Sequence, residues 1–415
     1  MVKCFITRVR SLIMSIMKYL KNRVILRKVS FTLGIIFIYL LGTHLTVSKD
    51  VYVIKQLNEL SVIGSMLGAD YTQLSIFTLG LAPWMSTMIL WRGLSIFKRL
   101  ELDKKSHKKI NGWQMRFIFI LAVIQALTFV LLNMRGKEPS LLEIITLCSV
   151  LVTGVFVLMF LVSMNTAYGI GGFTIIIIVG IVRTITKRFV TYFFNGTPFD
   201  IYKLLLCIYL FFVILILITL DRAERRIEVN RLMINNAFQD KSYLSIRLNT
   251  SGGMSIMYTF TILMLPQYLF QLLNYTFPEQ ILFQQLIDMF RLTNVSGVTI
   301  YSIVLFFLTI GFSFLNIDPE DIAKTLRNSG DYISGLRPGK ETKEYLHQII
   351  LRLSFVNAIT LTLFAGVPLY IGVFDKSFSE ILTLPGSVML LVGLTLSIYD
   401  QLSVLTIKKN YHSLF

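Results

Sequence analysis

The sequence predicts an all-α polytopic membrane protein with ten transmembrane helices. Of its 415 residues, 54% are hydrophobic and only 15% are charged, and the mean hydropathy is +0.69. In a soluble protein about a quarter of the residues are charged. Apolar runs of about 20 residues, long enough to cross the hydrocarbon core, recur along the chain. Lipid accepts only helices or closed barrels, and runs such as the four isoleucines at 175–178 lack the alternation of barrel strands.

Ten apolar runs are long enough to cross the membrane. They lie at about 29–47, 75–96, 113–132, 141–163, 169–190, 201–220, 254–273, 296–315, 349–373 and 384–406. The fifth is the least regular, because Arg183, Lys187 and Arg188 crowd its end. An even number of spans places both termini on the same side of the membrane.

The distribution of Lys and Arg predicts which side that is. With the N-terminus inside, the inner segments hold 27 of the 40 basic residues and the outer segments hold 9. This asymmetry is the positive-inside signal and predicts cytosolic termini in a plasma membrane. It also accounts for the net charge of +17, which favours anionic lipid as a partner. Nucleic acid is not expected, because no soluble domain is predicted to present a basic face.

Residues 1–28 are expected to form a basic amphipathic helix on the cytosolic surface. Apolar residues fall on one helical face at Phe5, Val9, Leu12, Ile16 and Leu20. Lys3, Arg10 and Lys18 lie largely off that face. A signal peptide is not favoured, because the apolar run is short and no small-residue cleavage site follows it.

The outer segment 48–74 is too short for a domain and too apolar for a plain loop. Apolar residues recur there at helical spacing, at Leu57, Leu60, Ile63, Met66 and Leu67. Gly64 and Gly68 keep the segment slim. We expect a short helix that dips back into the protein, which requires a cavity open to the outside. A helix lying flat on the outer surface is the alternative.

No constellation typical of an enzyme is present in the sequence. It holds no His-Glu-x-x-His motif, no Gly-rich phosphate loop and no cysteine cluster, so neither a metal nor a cofactor is predicted. Cys4, Cys148 and Cys207 are expected to be small apolar fillers. No Asp or Glu falls at the centre of a span, which counts against an ion-coupled transporter.

Several stretches resemble the SecY family of protein-translocation channels. They are residues 28–44 (KVSFTLG continuing to LGTH), 75–84 (SIFTLGLAPW), 224–230 (ERRIEVN), 335–342 (GLRPGKET) and the tail at 401–411. They follow one another in the family's order, and ten spans with both ends inside is the family's topology. The resemblance implies a channel made of two pseudo-symmetric halves of five spans, residues 29–190 and 191–415.

The resemblance also implies a constriction and a plug. A ring of apolar side chains would seal the waist of the pore, at Leu81, Met85, Ile177, Met257 and Leu390. The plug would occupy about 61–72, within the re-entrant segment, and include Ile63, Gly64, Met66, Leu67 and Gly68. A lateral gate would lie between spans 2–3 and 7–8. Apolar constrictions exclude ions because they dewet.

A channel without a nucleotide site needs a motor, and the resemblance implies a SecA-type ATPase. Its seat would be the cytosolic loops 221–253 and 316–348. Arg337 is flanked by Gly335 and by Pro338-Gly339, which places it at the tip of a stiff turn. An arginine there offers a rigid planar guanidinium to carboxylates of a partner. Lys340, Arg225 and Arg226 would belong to the same seat. Other implied partners are a SecE-like small subunit, accessory Sec proteins and an unfolded secretory polypeptide.

Departures from the family's pattern favour its accessory branch. The inner loop 163–168 has no charge, Ser255 stands where proline is usual, and the run at 169–173 lacks the family's Asn. These features resemble the accessory paralogue of Gram-positive cocci, which exports large serine-rich glycosylated adhesins. A general housekeeping channel is the alternative. Alternatives from other classes of membrane protein are a secondary transporter and a lipid-linked-glycan flippase. The intramembrane charges expected of a flippase are missing from this sequence.

Overall fold

A computed structural model describes residues 23–47, 64, 67–69, 71, 74–96, 106–134, 140–194, 201–230, 242–374 and 381–412. The described chain forms two compact units. The first comprises residues up to 183 together with those from 395 onward, and the second comprises residues 184–394. The division therefore falls inside two helices rather than in loops. Most of the amphipathic helix expected at 1–28 lies outside the described residues, which begin at Arg23.

Five helices correspond to the first five predicted spans. They are α1 (Arg23–His44), α2 (Ala82–Ile96), α3 (His107–Asn133), α4 (Leu141–Tyr168) and α5 (Thr174–Phe194). In the first unit α2 packs on α3, α3 on α4, and α1 on α4. The start of α4 is set locally, because the Ser140 hydroxyl accepts the backbone N–H of Glu143 at 3.3 Å. Glu143 lies in the first turn, where a carboxylate interacts favourably with the helix dipole.

In the rest of the described chain, seven helices and a small sheet follow. The helices are α6 (Ile201–Arg222), α7 (Met254–Thr276), α8 (Ile281–Phe290), α9 (Val295–Asn316), α10 (Pro319–Ser329), α11 (Lys340–Phe374) and α12 (Leu384–His412). The strands are β1 (Glu224–Asn230), β2 (Tyr243–Arg247) and β3 (Tyr332–Ile333). In the second unit α9 packs along both α7 and α11. Pro266 and Pro368 lie inside α7 and α11, as membrane helices tolerate.

Eight of the described helices are long and apolar enough to cross a membrane: α1, α3, α4, α6, α7, α9, α11 and α12. The other two predicted spans correspond to α2 and α5. The second span, expected at 75–96, is helical only from Ala82, because residues 75–81 form turns. A left-handed Gly80, with φ +55°, lies near the end of this irregular stretch. The helix of the ninth predicted span, α11, begins at Lys340, nine residues before the apolar run expected at 349.

Exposed apolar side chains line single faces of the spanning helices. On α1, Leu33, Phe37 and Leu41 recur every four residues and are each more than half exposed. Such faces are unfavourable in water and match a lipid environment. The chain is a multi-pass membrane protein, as its composition predicts.

The small sheet was not anticipated from the sequence. Its strand order is β2-β1-β3, and both pairings are antiparallel. Ile227 and Val229 of β1 are buried, while Arg226 and Glu228 beside them are exposed. This alternation with period two is the signal of a half-covered strand. It spans too few residues to stand out among long apolar helices.

Candidate functional site

The segment before α2 folds back into the first unit. Of the residues predicted for the plug, Gly64, Leu67 and Gly68 are described and buried, whereas Ile63 and Met66 lie outside the described residues. The backbone N–H of Leu81 donates to the Leu67 carbonyl at 3.2 Å. The Tyr39 hydroxyl of α1 donates to the Gly68 carbonyl at 2.9 Å. The segment is therefore attached both to α1 and to the residue that precedes α2.

Glycines make this close seating possible. A Cβ at Gly64 would collide with the ring of Tyr71, and a Cβ at Gly80 would collide with the Gly68 carbonyl. Gly68 itself has a φ of +72°, in the left-handed region. A helix lying flat on the outer surface would expose one face, but Leu67 and Ala69 are 0% and 2% exposed. At the described positions the segment is inserted, not flat.

The five side chains predicted for the constriction are all fully buried. Each has a relative exposure of 0%: Leu81, Met85 and Ile177 in the first unit, Met257 and Leu390 in the second. In the first unit Leu81 also bonds the plug segment, and Ile176, next to Ile177, lies 3.3 Å from the Cβ position of Gly68. The plug segment and part of the predicted ring thus share one packed region of that unit.

Four of the predicted ring residues lie where helices begin. Leu81 directly precedes α2, and the N–H of Met85 donates to its carbonyl at 3.0 Å. Ile177 and Met257 are each the fourth residue of their helices, α5 and α7. Side chains at helix starts can be aimed by the turn that precedes the helix, so their placement depends on that turn.

In the second unit two glycines bring α12 onto the start of α7. A Cβ at Gly253 would lie 3.2 Å from the carbonyl oxygen of Leu390. A Cβ at Gly393 would lie 2.7 Å from the Gly253 nitrogen, closer than real Cβ contacts come. The backbones therefore approach directly, with no side chain between them. This contact links the helices that carry Met257 and Leu390.

The sheet brings the two predicted motor loops together in the second unit. Strand β1, from loop 221–253, pairs with β3, from loop 316–348, through Val229 with Ile333 and Asn230 with Tyr332. Beneath the sheet lies a buried apolar cluster of Ile227, Val229, Ile246, Ile333, Leu346 and Ile350. The two loops form one folded platform rather than two separate loops.

The Arg337 turn projects from this platform. Gly335 and Gly339 have φ values of +80° and +117°, which favour glycine. The Arg337 N–H donates to a carboxylate oxygen of Glu341 at 3.1 Å, and the Thr342 hydroxyl donates to the Arg337 carbonyl at 2.9 Å. The backbone of Arg337 is thereby fixed, while its side chain is exposed.

The predicted docking residues differ in how far their charges are already engaged. Arg226 bonds Glu224 at 2.7 Å and lies over the Tyr243 ring at 4.7 Å, and these contacts raise its pKa. By contrast, no residue in the described part of the chain pairs with the guanidinium of Arg225 or Arg337. Pro338 and Lys340 are exposed beside Arg337.

A group of three charges fixes α10 to α11 next to the turn. Glu320 bonds Lys343 at 2.6 Å and Lys324 at 3.0 Å. The hydrogen bonds from Lys343 and Lys324 lower the pKa of Glu320 to about 2. All three side chains are about half exposed, so solvent screening limits the strength of this brace. Because the carboxylate stays ionised at physiological pH, the brace is not a pH switch.

Sequence reasoning missed Tyr39, whose hydroxyl holds the plug segment. A lone tyrosine within an apolar span gives no signal of such a bond. Among the described residues, no group of three or more His, Cys, Asp or Glu side chains is placed to hold a metal ion.

The chain matches known proteins along almost its whole length. The SecY family model matches residues 75–399. The accessory Sec system protein translocase subunit SecY2 of Leuconostoc gelidum subsp. gasicomitatum is 34% identical, over 94% of this chain and 97% of that protein. SecY2 of Streptococcus gordonii is 32% identical, over 96% of this chain and 100% of that protein.

Solved structures share the fold at lower identity. A structure of a protein-conducting channel has a TM-score of 0.70 and 17% identity, and it covers 92% of this chain and 93% of its own. A second structure comes from work on the SecY plug domain, which in that protein stabilises the closed state of the channel and maintains a membrane seal. It has a TM-score of 0.67 and 17% identity, and 92% of each chain is covered. Together with the family match, these likenesses show that the chain belongs to the SecY family.

Proposed function

We propose that this chain is the protein-conducting channel subunit of an accessory Sec translocon in the bacterial plasma membrane. The observation that carries the proposal is its similarity, over nearly its full length, to SecY2 subunits of accessory Sec systems. The substrate is an unfolded secretory polypeptide. Large serine-rich glycoprotein adhesins are the class that the accessory branch predicts. Both termini lie in the cytosol, as the excess of Lys and Arg in the inner segments indicates.

The constriction seals by dewetting and adapts to the passing chain. Five apolar side chains at one waist exclude ions because water is not stable in such a narrow apolar pore. Their burial, 0% exposed in every case, supports a closed arrangement. Two of the five are methionines, whose flexible thioethers fit irregular shapes. A polypeptide can therefore pass while Met85 and Met257 remain packed around it.

The segment at 61–72 closes the resting channel. Its support is the seating of Leu67 and Gly68 against Leu81 and Tyr39. Both bonds join groups within one unit. A segment attached in this way can leave when an incoming polypeptide competes for its place, and it can return afterwards.

A SecA-type ATPase docks on the platform formed by the sheet and the Arg337 turn. The fixed backbone and exposed guanidinium of Arg337 suit it to bind a carboxylate in a bidentate pair. Arg225 and Lys340 add exposed positive charge to the same platform, whereas Arg226 is already engaged by Glu224. A SecE-like small subunit and accessory Sec proteins complete the translocon.

Complementation in two strains tests this function against that of a general channel. The gene is expressed in a streptococcal strain lacking its accessory channel subunit and, separately, in a strain depleted of its general SecY. Restored surface display of the serine-rich adhesin in the first strain, without restored growth in the second, is the expected result. Restored growth in the depleted strain would favour the housekeeping alternative. Failure in both, with the protein stably inserted, would contradict the proposal.

A further inference from the structure

The turn between α4 and α5 determines where α5 begins. Gly171 and Gly172 have φ values of +76° and +48°, so the turn uses two left-handed residues in succession. Thr174 starts α5, and its N–H donates to the Gly171 carbonyl at 2.9 Å. Ile177 follows three residues later, in the first turn of the helix. Whatever holds this turn therefore also holds Ile177.

Asn165 of α4 holds the turn from inside the first unit. Its side chain is 0% exposed, and its Nδ2 donates to the carbonyls of Ile170 at 3.0 Å and Gly172 at 2.8 Å. Its Oδ1 lies 3.0 Å from the Thr32 hydroxyl of α1. That hydroxyl in turn accepts the N–H of Ile170 at 3.0 Å. Both ends of the amide are therefore engaged, and two of its three bonds are to the turn.

The amide is important because it is fully buried and one of its partners, the carbonyl of Ile170, belongs to a buried residue. Without Nδ2, the carbonyl of Ile170 and that of the half-buried Gly172 both lose a donor, and a buried carbonyl such as that of Ile170 is costly to leave unpaired. On its other side the turn is bonded through the Gly171 N–H, which donates to Oε1 of Gln401 at 2.8 Å. Gln401 is exposed, so water can replace it. Asn165 cannot be replaced in this way.

The second unit repeats this arrangement with different residues. Asn357 of α11 is 0% exposed, and its Nδ2 donates to Oδ1 of Asn249 at 3.1 Å and to Oγ of Ser251 at 3.2 Å. Oδ1 of Asn249 also accepts the N–H of Gly252, which has a φ of +55°. Helix α7 then begins, with Met257 as its fourth residue. In both units a buried asparagine on a neighbouring helix fixes a glycine turn that precedes a predicted ring residue.

We propose that Asn165 is a positioning residue for the constriction, which fixes the 169–173 turn and so keeps the Ile177 side chain in the seal. This inference rests on the proposed channel function, because it takes Ile177 to be part of the ring. The physical step is short: loss of the amide frees two carbonyls, the turn relaxes, and the first turn of α5 shifts or frays. The seal then opens at Ile177 although the helix bundle remains folded.

Thiol labelling in proteoliposomes tests the proposal on the full-length chain. Ile177→Cys is introduced into a chain in which Cys4, Cys148 and Cys207 are changed to serine, and its alkylation by a small maleimide is timed. Adding Asn165→Ala is expected to speed labelling roughly tenfold, as loss of one or two buried hydrogen bonds allows. Asn165→Asp is expected to act similarly, because a carboxylate cannot donate to the two carbonyls.

A matched control separates positioning from general stability. Asn133 of α3 is also a buried asparagine of the first unit, but its Nδ2 bonds the Phe129 carbonyl of its own helix at 2.9 Å. Asn133→Ala is expected to leave the labelling rate of Ile177→Cys unchanged. Equal labelling rates with and without Asn165→Ala, accompanied only by a lower melting temperature, would overturn the proposal. A separate result would contradict the ring assignment of Ile177. In that case Ile177→Cys, without any change at Asn165, would be alkylated as fast as a cysteine at the exposed position Tyr168.

Discussion

The hydroxyl of Tyr39 is the smallest group on which closure of the channel is proposed to depend. It donates to the Gly68 carbonyl within the plug segment, and both residues are buried. A phenylalanine in its place keeps the ring and its stacking on Phe77 and removes the hydroxyl that donates to Gly68. The consequence for the segment can therefore be isolated from any change in packing.

Tyr39→Phe is expected to loosen the plug segment and raise the resting ion leak. Leaving a buried carbonyl unpaired costs about 1–3 kcal/mol, enough to increase the unseated population roughly tenfold. Planar-bilayer recordings of the purified channel measure the leak. Tyr209→Phe is the control, because Tyr209 also donates to a backbone carbonyl at 2.9 Å, that of Phe364, but in the second unit. An equal leak in both variants would contradict a specific role for Tyr39.

Met257→Asp is expected to make the closed channel conduct ions. A carboxylate brings water into an apolar constriction, because stripping it of water costs several kcal/mol. Conductance is recorded with the plug segment deleted, so that only the ring is tested. Met257→Leu keeps the site apolar and is expected to remain silent. If Met257 were ordinary core, the Asp variant would be less abundant but would not conduct. A stable, electrically silent Asp variant would refute the ring assignment.

At the scale of elements, the rigid platform beneath the Arg337 turn supports the proposal that this turn is a docking site. Its sheet, its apolar cluster and the brace at Glu320 support the loop from below. Helix α10 has the local signals that fix its ends: Asp318 accepts the Glu320 N–H, Pro319 occupies the first turn, and Gly330 ends the helix with φ +75°. A turn on such a base loses little conformational freedom on binding.

Arg337→Glu is expected to block export while the protein still inserts normally. The charge reversal repels carboxylates on the motor, whereas the exposed side chain supports no packing. Surface display of the substrate and membrane levels of the channel are measured together. Arg327→Glu reverses another exposed charge on the neighbouring α10 and is expected to keep most export. Full export by the Arg337→Glu variant would contradict the proposal that this turn binds the motor.

How well each element could be predicted depended on the length of its signal. The long apolar runs predicted the spans. Apolar residues at helical spacing, together with glycines, predicted a segment that inserts into the protein, and the burial of Leu67 supports this at the described positions. The start of α2 at Ala82 was missed, because the turn at 75–81 is as apolar as the helix. The hydrogen bonds from Asn165 and Asn357 to the glycine turns were missed, because they join residues that are far apart in sequence or that lie in irregular turns. The sequence around a single asparagine in an apolar span does not indicate which group its side chain will hydrogen-bond.

At the scale of the whole molecule, the orientation in the membrane follows from charge alone. The excess of Lys and Arg in the inner segments, 27 against 9, predicts that the platform faces the cytosol and that α8 and its flanking turns face outward. The pairing of β1 with β3 requires loops 221–253 and 316–348 to emerge on one and the same side of the membrane, whichever side that is.

Single cysteines test this orientation in intact cells. Glu279→Cys, in the turn before α8, is expected to react with a membrane-impermeant maleimide added outside. Ser334→Cys, beside the Arg337 turn, is expected to react only after the membrane is permeabilised. Both positions are exposed, so burial does not account for a difference. The opposite pattern would invert the topology and place the motor seat on the wrong side.

If Met257 and Leu390 line the pore as proposed, the direct contact of Gly253 with Gly393 limits how that pore can widen. Because the two backbones touch without intervening side chains, neither helix can move closer to the other at this point. We therefore expect Met257 and Leu390 to keep their spacing when the channel opens. Fine adjustment to a bulky or slender cargo would then fall to rotation about the side-chain bonds of Met257, which needs no helix to move.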